Sequence, residues 1–270
     1  MKWALPLAHI AGVRIYIHSV FLLLVVFTLW PAGTPDLAMA LNLAVILMLL
    51  LVCVLLHELG HTVAAQRYGL AVRKIVLWPF GGMLLLDRPP DTPSHDLLIA
   101  LAGPLVNIVL GGIALVVLIG QAFITGATVQ LDYGQLAGLS FTNVVTWLCL
   151  INAFLVLINL VPADPFDGAY IFRSMLHMFT SHAQATTLTR ILGWLCVVLM
   201  GVLGLVLVEA FFITTALLVG IALFQKRSAR RFQEVLQPPS EDRYKTIPLD
   251  PAQLEAVVPP ARVDTSTAEK

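Results

Sequence analysis

Residues 55 to 66 read LLHELGHTVAAQ and place His57, Glu58 and His61 near the end of an apolar run that meets no charge between Met39 and Glu58. Residues four apart stack on one face of a helix, so His57 and His61 can present both imidazoles to one metal ion. Glu58 follows one position on, where its carboxylate can reach a water on that metal without ligating it. In this HExxH arrangement two imidazoles hold zinc and the carboxylate takes the proton of its water. Ionisable side chains at the centre of a membrane helix cost about 2.5–3.5 kcal/mol each on insertion scales, so a cluster of them needs a compensating role. The bland alternative is solvation at the membrane boundary, since residue 57 lies about 27 Å along a helix from Met39.

Catalytic zinc commonly has three protein ligands and one open position, so a third donor must come from another element at the same depth. The segment INLVPADPFDGAYIF, residues 158–172, offers Asp164 and Asp167 where Pro162 and Pro165 interrupt an apolar helix. Irregular backbone at membrane depth is tolerated only where it is buried in protein or lines a watery cavity. A plain Asp167-Gly168 turn is the competing explanation.

The elements that must position these groups are membrane helices. The chain of 270 residues is 59% hydrophobic and only 12% charged, about half the charged fraction of a soluble domain. Apolar stretches of bilayer length predict an all-α polytopic membrane protein with about six transmembrane helices. The spans fall near residues 15–31, 39–66, 95–121, 141–162, 190–207 and 209–225. They form a 15–225 core between a membrane-associated segment, 1–14, and a Pro-rich tail, 226–270, expected to be disordered. With the N-terminus inside, all 16 Lys and Arg fall on the cytoplasmic side, and both termini are cytoplasmic. Merging the last two spans would send the basic tail across the membrane. A cleaved leader ending at the AMA of residues 38–40 is the weaker reading, because the region before its apolar core is long.

Between the second and third spans, GLAVRKIVLWPFGGMLLLD carries apolar runs on both sides of Pro79 and a Gly81-Gly82 turn, which predicts a small membrane-associated β-hairpin. Cys53, Cys149 and Cys196 all sit in apolar runs without metal-ligand spacing and read as small buried hydrophobes. His18, His95, His177 and His182 read as boundary or capping residues.

HELGH in one span, NLVPADPFDG in another and ALAGPLVN (residues 100–107) between them resemble the site-2 protease family of intramembrane zinc metalloproteases, over roughly residues 10 to 225. The resemblance implies one Zn²⁺ per chain, held by His57, His61 and Asp167, with Glu58 as catalytic base. It implies that Asn159 positions substrate or stabilises the oxyanion, an interhelical hydrogen bond being the alternative. Gly103, Pro104 and Asn107 match the third-span motif and are taken as packing. Asp164 and Ala169 depart from the family pattern, the first adding a second carboxylate and the second replacing a common glycine. No connection is long enough for the PDZ domain of some relatives, and the tail is short for the CBS domain of others. The chain therefore resembles a minimal core.

The resemblance implies regulated intramembrane proteolysis: an endopeptidase cutting in or near the membrane segment of a single-span or membrane-anchored protein, in the lipid bilayer of a prokaryotic cell membrane. A homo-oligomer or a regulatory membrane partner is compatible with such a chain, and no nucleic-acid partner is indicated. The rival functions are a metal-ion transporter and a catalytically inactive binding scaffold. A transporter needs polar groups at successive depths, and the outer halves of the spans offer little besides Asn42, Asn143 and Asn152.

Overall fold

The computed structural model describes residues 4–10, 12–19, 21, 37–78, 81–126, 139–207, 217, 219 and 220. The chain runs through β1 (Ala4–Ile10), β2 (Val13–His18), α1 (Leu37–Arg67), β3 (Val72–Trp78) and β4 (Gly81–Leu86). It continues through α2 (Pro93–Thr125), α3 (Phe141–Asn159), α4 (Asp167–His177) and α5 (His182–Leu207). All described residues belong to one unit, Met1–Leu223.

Four helices, α1, α2, α3 and α5, are long and apolar enough among the described residues to cross a bilayer. At 31 residues, α1 extends about 46 Å, longer than a hydrocarbon core of about 30 Å. Their outer faces invert the soluble pattern. Leu105, Ile108 and Val116 of α2 and Leu195, Val198 and Leu205 of α5 are exposed, whereas Asn42, His57, Glu58, His61, Asn107, Asn152 and Asn159 are buried.

The expected hairpin is present as β3 and β4, but it is half of a four-stranded sheet in the order β1-β2-β3-β4. Strands β1 and β2 pair antiparallel, as do β3 and β4, while β2 and β3 run parallel with Ile15 opposite Ile75. The parallel pair is joined through α1, a connection that only a long crossover can make. The apolar run assigned to a first span at 15–31 therefore begins as strand. VRIYIH alternates between buried and outward residues, the period-2 signature of a strand rather than a helix. The 1–14 segment likewise contributes β1 and the start of β2. Most of the expected first and sixth spans, and the whole tail, lie outside the described residues.

Val13, Ile15, Val72, Ile75 and Leu77 of the sheet form one buried cluster with Cys53, Val54 and Ala65 of α1, Ile99 of α2 and Ile151 and Leu155 of α3. The sheet is thus seated on the half of α1 that carries the HELGH residues. Helix boundaries follow local chemistry. Thr92 caps α2 by accepting the His95 amide at 3.3 Å, with Pro93 in the first turn. Ser140 caps α3 by accepting the Asn143 amide at 3.1 Å. The fourth expected span, 141–162, stops at Asn159, and the Pro162–Pro165 segment leads into the separate helix α4. Helix α5 starts at His182, ahead of the expected residue 190.

Candidate metal centre

His57 and His61 occupy successive turns of α1, with ring centroids 4.8 Å apart and planes at 81°. Their Nε2 atoms lie 3.2 Å apart. Asp167, the first residue of α4, brings Oδ2 to 2.9 Å from His57 Nε2 and 3.2 Å from His61 Nε2. These three side chains form a group able to hold a metal ion, with all donor atoms within 4.8 Å of one another. Asp164 is not a member of this group.

Helix α4 is pinned to α2 by Asp96, whose Oδ2 accepts from Ser174 Oγ at 2.6 Å and faces Arg173 Nη2 at 3.4 Å. A Cβ on Gly168 would overlap the carbonyl oxygens of Leu160 and Val161. Its missing side chain lets α4 start hard against the end of α3 and deliver Asp167 to the histidines, without the tight Asp-Gly turn that was the competing explanation. Burial disfavours the Asp167 charge, but His61 and His57 beside it outweigh this and hold the carboxyl below the ordinary carboxylate range.

Glu58 is buried at 2% exposure, with Oε1 4.0 Å from His57 Nε2. It stands beside the three donors without joining them. The Gly82 backbone is its hydrogen-bond partner, and a Cβ on Gly82 would overlap the Glu58 carboxyl. The β3–β4 turn therefore passes directly over this side chain, and only glycine fits there.

The third-span motif, expected to serve packing, builds one wall of the site. Ile99, Gly103 and Asn107 are spaced by four along α2 and share a face. The Ile99 carbonyl accepts from His61 Nδ1 at 2.7 Å, and Asn107 Oδ1 bonds His57 Nδ1. Between them, a Cβ on Gly103 would fall on the Nε2 atoms of both histidines. Sequence reasoning missed these roles, although the Gly103–Asn107 spacing was the signal. The stripe leaves both Nε2 atoms facing a space kept clear by Gly103, an arrangement that fits a cation.

Asn159 is buried in the last turn of α3 and donates to the Leu155 carbonyl at 3.0 Å. It is not part of the donor group. Neither are the remaining histidines: His95 stacks on Tyr68 at 4.2 Å, and His177 packs edge-on against His182 at 5.0 Å.

The chain is similar to known proteins over most of its length. Residues 45–203 match the profile of peptidase family M50. The chain is 32% identical over 219 residues to the zinc metalloprotease MJ0392 of Methanocaldococcus jannaschii, covering 81% of this chain and 59% of that protein. It is 34% identical over 186 residues to Rip3 of Mycobacterium tuberculosis, covering 65% of this chain and 44% of Rip3. The chain thus spans about half the length of the curated relatives it matches. Among solved structures, the site-2 protease from Methanocaldococcus jannaschii superposes with a TM-score of 0.62 at 29% identity, covering 83% of this chain and 94% of that one.

Proposed function

The chain belongs to peptidase family M50, and from that premise we propose that it is a zinc-dependent intramembrane endopeptidase. The observation that carries this reading is the convergence of His57 Nε2, His61 Nε2 and Asp167 Oδ2 beside a buried Glu58, within helices whose outer faces are apolar. Two imidazoles and one carboxylate make a donor set suited to zinc, leaving a fourth position for water or substrate. When bound there, zinc polarises the scissile carbonyl and acidifies water.

The chain's own groups supply the rest. Glu58 takes the proton of the attacking water on its carboxylate and later gives it to the leaving amine. The β3–β4 turn over Glu58 shields that buried carboxylate from bulk water. A substrate helix hides its carbonyls in backbone hydrogen bonds, so the scissile stretch must be extended before attack. Strand β4 is one of the two edge strands of the described sheet and begins over Glu58, so strand addition along it would carry an extended segment past the base. Asn159, eight residues before Asp167, is assigned to holding the substrate backbone.

The substrate class is a single-span or membrane-anchored protein cut in or near its membrane segment, as in regulated intramembrane proteolysis. The surrounding medium is the bilayer of a prokaryotic cell membrane, with both chain termini on the cytoplasmic side. The test is cleavage of a membrane-segment peptide by the purified chain in detergent. Activity lost on chelation and restored by zinc sustains the reading. Full activity after complete metal removal overturns it.

A further inference from the structure

Asn107 and Asn152 are both fully buried, yet neither belongs to the donor group. Asn107 Oδ1 meets His57 Nδ1, and Asn107 Nδ2 lies 2.7 Å from Asn152 Oδ1. Asn152 Nδ2 in turn lies 2.8 Å from the Leu148 carbonyl and 3.3 Å from Cys53 Sγ. The far end of this chain sets its direction. A backbone carbonyl can only accept, so the Asn152 atom facing Leu148 must be the NH₂ group. Its oxygen then faces Asn107, which must answer with its own NH₂ and turn its oxygen to His57. An oxygen at that place requires a proton on His57 Nδ1, and the Nε2 lone pair is left toward Asp167 and His61.

We propose that Asn107 and Asn152 are positioning residues, a one-way hydrogen-bond relay that locks His57 in the tautomer able to bind metal through Nε2. The relay ties three helices together: it leaves α1 at His57, crosses α2 and α3, and returns to α1 at Cys53, one turn before it began. His61 reaches the same tautomer by a shorter route, its Nδ1 proton held by the Ile99 carbonyl at 2.7 Å. Partners of this kind orient a ligating ring and raise its basicity, and losing one commonly costs about 10–100-fold in metal affinity. The proposal rests on the reading of His57 as a zinc ligand.

The test uses the full-length protein in detergent, stripped of metal. Zinc affinity is measured by competition with a chromophoric chelator for the wild type, Asn107→Leu, Asn152→Leu, the double Leu variant and Asn107→Asp. The histidine tautomers of the metal-free wild type are read from ¹⁵N imidazole shifts. The relay predicts a Nδ1-protonated His57 and a loss of about 10–100-fold in zinc affinity for Asn152→Leu, a residue remote from the metal. The double variant should bind no worse than Asn107→Leu, because both break one path. Asn107→Asp, which keeps an acceptor for Nδ1, should recover affinity relative to Asn107→Leu. Wild-type affinity in Asn152→Leu, additive losses, or a Nδ1-unprotonated His57 overturns the proposal. The tautomer measurement needs no variant to fold. A wild type with the Nδ1-protonated ring and no zinc affinity would support the relay and overturn the ligand reading separately.

Discussion

Gly103 on α2 lies so close to His61 on α1 that a Cβ on the glycine would fall 2.2 Å from the His61 Nε2 atom. That contact makes residue 103 the floor of the candidate metal centre. Backbone on one side and Asp167 on the other leave the ring no room to retreat, because Ile99 holds its Nδ1. Gly103→Ala should therefore displace the histidines and remove both zinc binding and cleavage. Gly112→Ala, on the same helix with nothing within 4 Å of its Cβ position, is the control. It should leave activity unchanged and stabilise the helix by at most about 1 kcal/mol. Metal content of the two purified variants checks the pair, and full zinc occupancy in Gly103→Ala would refute the assignment.

Glu58 stands beside the donors rather than among them. A base that is not a ligand can be neutralised without emptying the site. Glu58→Gln is expected to abolish cleavage while keeping about one zinc per chain. Loss of metal from a folded Glu58→Gln protein would mean that its role is misassigned. Gly82→Ala should resemble it, since the added methyl overlaps the Glu58 carboxyl.

How far these parts could be read beforehand depended on distance along the chain. His57, Glu58 and His61 lie within five residues, and helical geometry alone places them on one face. Asp167 is 110 positions from His57, so the sequence offers two aspartates, and the family resemblance together with Gly168 after Asp167 and the prolines around Asp164 favours the former. Small residues in membrane helices usually serve close packing, so the sequence alone points the α2 stripe to that role. Gly103 does allow close approach, but what approaches is a pair of imidazoles. The second N-terminal strand opens an apolar run, and a short strand there looks like the start of a span. Its identity comes from parallel pairing with β3, about 60 residues away, which local periodicity cannot report.

The charge distribution makes a separate prediction. Arg14, Arg67, Arg73, Lys74, Arg88, Arg173 and Arg190, the basic residues among those described, fall on one side if α1 runs from outside to inside, α2 back out and α3 in again. Cysteine labelling in intact cells should reach position 140, before α3, from outside and position 88, before α2, only after permeabilisation. The opposite pattern would reverse the orientation of the core.

The sharpest expectation separates the two aspartates of the broken segment. Asp164 precedes Pro165 and is excluded from the donor group, whereas Asp167 opens α4 with its carboxylate within 2.9 and 3.2 Å of the two imidazoles. Helix α4 is held in place from behind by Asp96 on Ser174 and in front by Gly168 against the Leu160 and Val161 carbonyls. The carboxylate at 167 is therefore held by packing beside the two imidazoles. Removing one of three protein ligands should lower metal affinity and activity severely, while a carboxylate outside the coordination sphere typically costs about 10–100-fold. Asp167→Ala should lose zinc and cleavage together. Asp164→Ala should keep zinc and lose only part of its rate. Zinc stoichiometry measured on both purified variants decides the matter. Collapse in Asp164→Ala with survival in Asp167→Ala would exchange the roles of the two residues and remove Asp167 from the metal centre.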